Sequence, residues 1–131
     1  MSTIEDKFWV DNYKKGRKLF RKYSIMDYSH IFSSQKYGKS IIDIDEDITI
    51  DYLYLQNDIP TTNSTLNIII SGTHGVEGYA GTAIQCKTLD NFIKKKQLYC
   101  QENMSYLLIH ALNPYGYQHN RRCTKQNIDL N

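Results

Sequence analysis

The feature that most constrains this fold is a short aliphatic run that ends abruptly at a cluster of glycines. Leu66–Ile70 is rich in β-branched residues, which is typical of a strand buried on both faces. The run stops at Ser71–Gly78 (SGTHGVEG), and residues from Tyr79 to about Lys96 have helical spacing. Ser105–His110 predicts another buried strand. The order strand, loop, helix, strand predicts an α/β unit with parallel strand pairing.

A helix and a strand are predicted before this unit. From Thr3 to Tyr23, apolar residues recur at roughly helical spacing among lysines and arginines, with Ser2 or Thr3 as the cap. We interpret the basic side as a solvated face. A membrane-surface helix is the weaker alternative, because the apolar stripe is short and broken. Ile41–Leu55 alternates as a strand does, and Asp43–Asp47 lacks the glycine and glutamate of a calcium loop, so it is interpreted as an acidic turn between strands.

Composition excludes several classes of protein. The chain of 131 residues suffices for one ordinary domain, which we expect to span residues 1–131. Sixteen Lys and Arg residues and fourteen Asp and Glu residues give a formal net charge of +2, far below the excess of positive charge typical of a nucleic-acid-binding protein. The start MSTIEDKFWV does not resemble a signal peptide, and no apolar run approaches the ~20 residues of a membrane span. Cys86, Cys100 and Cys123 are typical of free thiols in a reducing compartment. We therefore expect a cytoplasmic protein with no nucleic-acid or membrane partner.

The glycine-flanked segment combines two groups that bind metals. His74 and Glu77 are three residues apart on a turn that follows a predicted buried strand. Sheets of this class carry their chemistry in loops at the carboxyl ends of strands. A catalytic zinc takes three protein ligands and leaves one position for water. The flanking glycines allow a tight turn in which both side chains converge on one point. The spacing alone is a weak indicator of a metal site, and its place at the end of a strand strengthens it.

Three collinear stretches resemble the zinc carboxypeptidase superfamily. Ser71–Gln85 (SGTHGVEGYAGTAIQ) resembles the first metal motif of that superfamily and is most similar to a branch that opens this motif with HGVEG. His110–Tyr117 (HALNPYGY) is similar to HALNPYGF in the same branch, and Arg121–Asn131 (RRCTKQNIDLN) is similar to its RR…NVDLNRNF. The resemblance covers essentially the whole chain but only the first part of the family's domain. It implies an incomplete α/β domain with a mixed, centrally parallel sheet flanked by helices.

The resemblance also implies roles for individual residues. His74 and Glu77 would be two of the three protein ligands of one zinc ion. Arg122, with Arg121 as the second candidate, would polarise the scissile carbonyl and stabilise the developing oxyanion. Asn131 would hold the terminal carboxylate of the substrate through oriented donors. His110, in contrast, is expected to pack at the end of its strand rather than bind the metal.

The family's third zinc ligand, a later histidine, and its general-base glutamate have no counterpart in this sequence. We therefore expect little or no peptidase activity from this chain alone, with the second half supplied by another chain or lost by truncation. Without the family's flanking strands, Leu66–Ile70 would present an unpaired apolar edge. The substrate would be a peptide, or an N-acyl amino acid if the chain belongs to a deacylase of the same superfamily. A non-catalytic remnant or a small binding module is the third hypothesis.

Overall fold

Four strands and three helices form the part of the chain that the structure describes. The structure is a computed structural model, and it describes residues 6–57, 64–94 and 103–131. The helices are α1 (Tyr13–Ser24), α2 (Gly78–Lys94) and α3 (Pro114–His119). The strands are β1 (Ser34–Asp43), β2 (Ile48–Gln56), β3 (Thr65–Ile70) and β4 (Met104–His110). Two 3₁₀ turns, at Asp6–Phe8 and Gly75–Glu77, precede α1 and α2.

The strands form one mixed sheet in the order β1-β2-β4-β3. β2 pairs antiparallel with both β1 and β4, whereas β3 pairs parallel with β4 and places Ile68 opposite Leu107. The predicted mixed α/β fold is therefore confirmed, as is the parallel pairing of the strands before and after α2. Among the described strands, the parallel pair lies at one side of the sheet, and β3 forms the edge.

The described helices that build the core pack on one face of the sheet. Phe20 of α1 and Leu89 of α2 join Leu53 of β2 and Leu108 of β4 in one buried cluster, and all four are fully buried. Burying such side chains contributes roughly 1.5–3 kcal/mol each. No helix within the described ranges is long and apolar enough to cross a membrane.

The other face of β3 remains accessible. Leu66, Ile68 and Ile70 are 49%, 55% and 48% exposed, whereas Ile69 between them packs against the core. The expectation that this strand is buried on both faces is therefore wrong for the described residues. The reason is topological, because α1 and α2 cover only one side of the sheet. The expected unpaired edge is confirmed, since β3 pairs with β4 alone among the described strands.

The first helix is shorter than the sequence indicates. It begins at Tyr13, where the side chain of Asn12 accepts a hydrogen bond from the backbone N–H of Lys15 at 2.9 Å. Asn12 itself is extended, so the helical spacing before it does not form one continuous helix. The predicted caps Ser2 and Thr3 lie outside the described residues, as do residues 95 and 96 at the end of the second predicted helix.

The predicted acidic turn between strands is confirmed. It joins β1 to β2, and the Glu46 backbone N–H donates to Asp43 Oδ1 at 3.0 Å. Arg17 of α1 donates to the Asp47 carboxylate at 2.6 Å, which attaches the helix to this hairpin. β1 begins at Ser34, seven residues before the predicted start, because its first half is polar and exposed and so lacks an alternating pattern.

Candidate metal centre

The loops that follow β3 and β4 lie side by side and are joined by backbone hydrogen bonds. The N–H of Leu112 donates to the carbonyl of Ser71, and the N–H of Asn113 donates to the carbonyl of Gly72, both at 2.8 Å. Gly72 has a φ of 61°, and a Cβ there would lie 2.8 Å from the Ala111 Cβ. Glycine is therefore required both by the left-handed backbone and by the close approach of the two loops.

Asn113 brings the last segment of the chain to this edge of the sheet. Its side chain accepts from the N–H of Gly116 at 2.9 Å, which caps α3, and donates to the Arg122 carbonyl at 2.9 Å. The N–H of Gly75 donates to the Arg121 carbonyl at 3.1 Å. A Cβ on Gly75 would overlap the backbone of Gly116, so the 3₁₀ turn packs directly against α3. Residues 121–131 consequently lie beside the turn that carries the two predicted ligands.

His74 lies between two carboxylates. Its Nδ1 is 3.1 Å from Glu77 Oε1, and its Nε2 is 3.0 Å from Asp129 Oδ1. The imidazole is largely buried, whereas the Glu77 side chain is 60% exposed. A neutral imidazole has one N–H, so only one of the two contacts can be an ordinary hydrogen bond. The other nitrogen must carry a proton or face a cation if its contact with a carboxylate is to be favourable.

Arg122 extends this cluster from the other side of Asp129. Its Nε donates to Asp129 Oδ2 at 2.8 Å. The hydrogen bond from Arg122 holds the pKa of Asp129 at about 2, with help from the Asn131 backbone N–H, whereas burial acts in the opposite direction. The contact with His74 likewise lowers the pKa of Glu77 below its ordinary value. Both carboxylates are therefore ionised at neutral pH.

The other two predicted site residues, Arg121 and Asn131, make no side-chain contact with His74 or Glu77 within the described residues. Arg121 donates to Asn127, and its guanidinium lies 5.7 Å from the centre of the Tyr115 ring. Arg122 is thus the arginine that the structure joins to His74, through Asp129. Asn131 is exposed and contacts Asp129 through its backbone N–H at 3.1 Å.

A known protein family covers these residues. The family described as a protein of unknown function, DUF2817, matches residues 9–131. The chain belongs to the DUF2817 family. The match includes every residue of the candidate metal centre, from His74 to Asn131. Among curated proteins, no sequence matches the chain.

In this DUF2817 chain, His74 and Glu77 fit two of the positions that a zinc ion requires. Two ligands bonded at 2.0–2.1 Å to one tetrahedral zinc lie about 3.3 Å apart, and the observed Nδ1–Oε1 separation is 3.1 Å. A carboxylate on the second nitrogen of a ligating histidine is the usual supporting contact, and Asp129 occupies that place. Within the described ranges, however, no group of three or more His, Cys, Asp or Glu side chains is arranged to hold a metal ion.

Asp129 is the site residue that the sequence did not single out. It belongs to the last stretch of the family resemblance, but nothing in its local sequence marks it as a partner of a histidine 55 residues earlier. The only available signal is that it is a carboxylate in the same stretch as Arg122. Its role depends on the packing of the last segment against the 3₁₀ turn.

His110 packs inside the protein, as predicted. It is fully buried, stacks on Phe20 with ring centroids 4.9 Å apart, and lies 2.8 Å from Thr82 Oγ1 through its Nε2. His119 lies away from the centre, and its Nε2 is 2.5 Å from Glu46 Oε2. Cys86 and Cys123 are free thiols, and Cys100 lies outside the described residues.

Proposed function

We propose that this chain forms part of a zinc-dependent, carboxypeptidase-like hydrolase that acts on C-terminal peptide bonds. His74 and Glu77 are two of the ligands of its single zinc ion. The observation that supports this proposal is the position of His74 between Glu77 and Asp129. If Nε2 donates its proton to Asp129, the Nδ1 lone pair points toward Glu77, and a metal cation makes that arrangement favourable.

Three further residues of this chain, Asp129, Arg122 and Asn131, have roles at the proposed zinc site. Bound zinc would polarise a carbonyl and lower the pKa of a bound water. Asp129 fixes the imidazole tautomer, and Arg122 holds Asp129 in place. Arg122 donates to Asp129 through Nε, so its Nη groups can donate to a substrate carbonyl. We assign the terminal carboxylate of the substrate to the exposed side chain of Asn131.

Activity requires polypeptide beyond the described residues. Additional polypeptide must supply the third zinc ligand and the general base. The open edge of β3 is suitably placed for this, because the strand ends four residues before His74. A strand that pairs with this edge would bring its own loop next to the two ligands. We therefore expect the 131-residue chain alone to hydrolyse peptides slowly or not at all, and a second chain is the partner we propose. The free thiols Cys86 and Cys123 support a cytoplasmic location.

Zinc affinity is the measurement that tests the proposal. The chain, His74→Ala and Glu77→Ala are titrated with zinc in competition with a chromophoric chelator, and unfolding curves verify that each variant is folded. We expect one zinc per chain, with an affinity at least tenfold lower in both variants. His119→Ala is the matched control, because it removes a histidine paired with a glutamate elsewhere. A folded chain that binds no zinc, or equal losses in all three variants, would overturn the proposal.

A further inference from the structure

An open groove on the outer side of α1 combines four lysines with an aliphatic floor. It has a volume of about 360 Å³ and is lined by Lys7, Val10, Lys15, Lys18, Leu19 and Lys22. Three of these lysines follow one another at spacings of three and four along α1, so they share one side of the helix. We call this feature the lysine groove, and none of its residues belongs to the candidate metal centre.

Exposed apolar side chains lie at both ends of the lysine groove. A neighbouring hollow of about 380 Å³ shares Val10 and Lys15 with the groove and is lined by Trp9, which is 48% exposed. Ile25, three residues beyond Lys22, is 78% exposed. The surface therefore presents a tryptophan, a row of lysines over aliphatic carbon, and an isoleucine in sequence along one side of the molecule.

The charge of the groove is only partly compensated. Lys15 pairs with Asp11 at 2.9 Å, and Lys7 lies 4.0 Å from Asp90. Lys18 and Lys22 make no ion pair with any residue in the described ranges. Because the whole chain carries a formal charge of only +2, this positive surface is local. The partner is therefore expected to be anionic and to contact one side of the protein.

We propose that the lysine groove, with Trp9 and Ile25 at its ends, docks on the surface of an anionic phospholipid bilayer. Tryptophan is enriched at the membrane interface, and lysine stems lie along apolar surface while their ammonium groups contact phosphates. Binding of this kind combines buried apolar area with attraction to anionic lipids. Nucleic acid fits less well, because Val10, Leu19 and Ile25 are aliphatic and Trp9 is the one ring of this surface on which a base could stack.

The structure explains why the sequence favoured a solvated face here. Trp9 and Val10 lie inside the helix predicted from Thr3 to Tyr23, whose apolar stripe is short and broken. In the structure they precede α1 and fold back beside it, and Val10 lies close to Gly16. The apolar part of the surface is thus contributed by residues outside the helix.

Vesicle binding tests the proposal through Trp9, which is the only tryptophan in the chain. The protein is titrated with phosphatidylcholine vesicles that do or do not contain phosphatidylglycerol. We expect a blue shift of the Trp9 emission and co-sedimentation only with the anionic vesicles, both decreasing as salt is added. Equal binding to neutral vesicles, or no binding to either, would overturn the proposal.

A pair of double variants identifies the surface responsible. Lys18→Gln/Lys22→Gln is expected to weaken partitioning roughly 30-fold. Lys36→Gln/Lys39→Gln on β1 removes the same charge from exposed positions and is expected to leave partitioning unchanged. Unfolding curves show whether both variants are folded. Equal losses in the two variants contradict the proposal, as does lysine-dependent binding of single-stranded RNA without vesicle binding.

Discussion

His74 and Asp129 lie 55 residues apart in the sequence, yet His74 Nε2 is 3.0 Å from Asp129 Oδ1. This contact attaches the last segment of the chain to the loop after β3. It also leaves Nδ1 as the nitrogen that faces Glu77. Because Asp129 is itself held by Arg122, the orientation of the imidazole depends on a residue that touches neither His74 nor Glu77 through a hydrogen bond.

Replacing Asp129 tests whether this contact prepares His74 for zinc. Asp129→Ala is expected to lower zinc affinity about 10- to 100-fold, because the imidazole loses the acceptor that fixes its tautomer and orientation. Asp129→Asn retains an acceptor oxygen, so its zinc affinity should lie between that of Asp129→Ala and that of the unchanged chain. Competition with a chromophoric chelator measures all three. Asp27→Ala is the control, because Asp27 is an exposed carboxylate outside the centre. If Asp129→Ala lowers zinc affinity no more than Asp27→Ala does, Asp129 does not support zinc binding by His74.

The two arginines should differ in their effect on the Asp129 carboxyl. Arg122→Gln is expected to raise the pKa of Asp129 from about 2 toward its ordinary value of 3.8, because the largest cause of the depression is the Arg122 hydrogen bond. Arg121→Gln should leave that pKa unchanged, since Arg121 donates to Asn127 instead. Carbon-13 NMR titration of the side-chain carboxyl measures both. If the two variants shift the pKa equally, Arg122 is not the specific partner.

The central α/β unit could be predicted because its local signals agree. An aliphatic run, a glycine-rich turn and a helical pattern follow one another between residues 66 and 94. In the folded protein they form β3, the 3₁₀ turn and α2, as their local patterns indicate. The start of β1 could not be predicted, because its polar side chains face solvent and create no periodicity. The start of α1 is decided by the cap at Asn12, which lies inside an otherwise helical pattern.

The candidate site likewise contains residues that the sequence could predict and one that it could not. His74 and Glu77 are three residues apart, so one local turn brings them together and the sequence is sufficient to nominate them. Asp129 joins them only because the Gly75 backbone N–H and the Asn113 side-chain amide donate to the Arg121 and Arg122 carbonyls and hold that segment over the turn. A contact of this type depends on the tertiary fold, and no local sequence pattern encodes it.

His110 should make stability depend on pH in the mildly acidic range. Burial lowers its pKa from 6.5 to about 4. Below about pH 6.5 the unfolded chain gains a proton that the folded protein does not bind, so stability falls as the pH decreases toward 4. The full effect is roughly 3 kcal/mol.

Urea unfolding at several pH values measures this dependence on His110. His110→Gln is expected to flatten the change in unfolding free energy between pH 6.5 and 4 relative to the unchanged chain. The variant will also be less stable at neutral pH, because it loses the stacking on Phe20. The slope, rather than the absolute stability, is therefore the quantity to compare. An unchanged slope in His110→Gln would contradict the prediction.

The open side of β3 should make the chain self-associate. Leu66, Ile68 and Ile70 are about half exposed on a strand whose outer edge pairs with no described strand, and such edges add further strands or aggregate. Ile68→Lys places a charge in the middle of this surface without changing the backbone, so it should lower the weight-average mass measured by light scattering at high concentration. Ile44→Lys is the matched control, because Ile44 is 78% exposed in the turn between β1 and β2. If both variants reduce association equally, the added charge is responsible and the edge of β3 is not the contact.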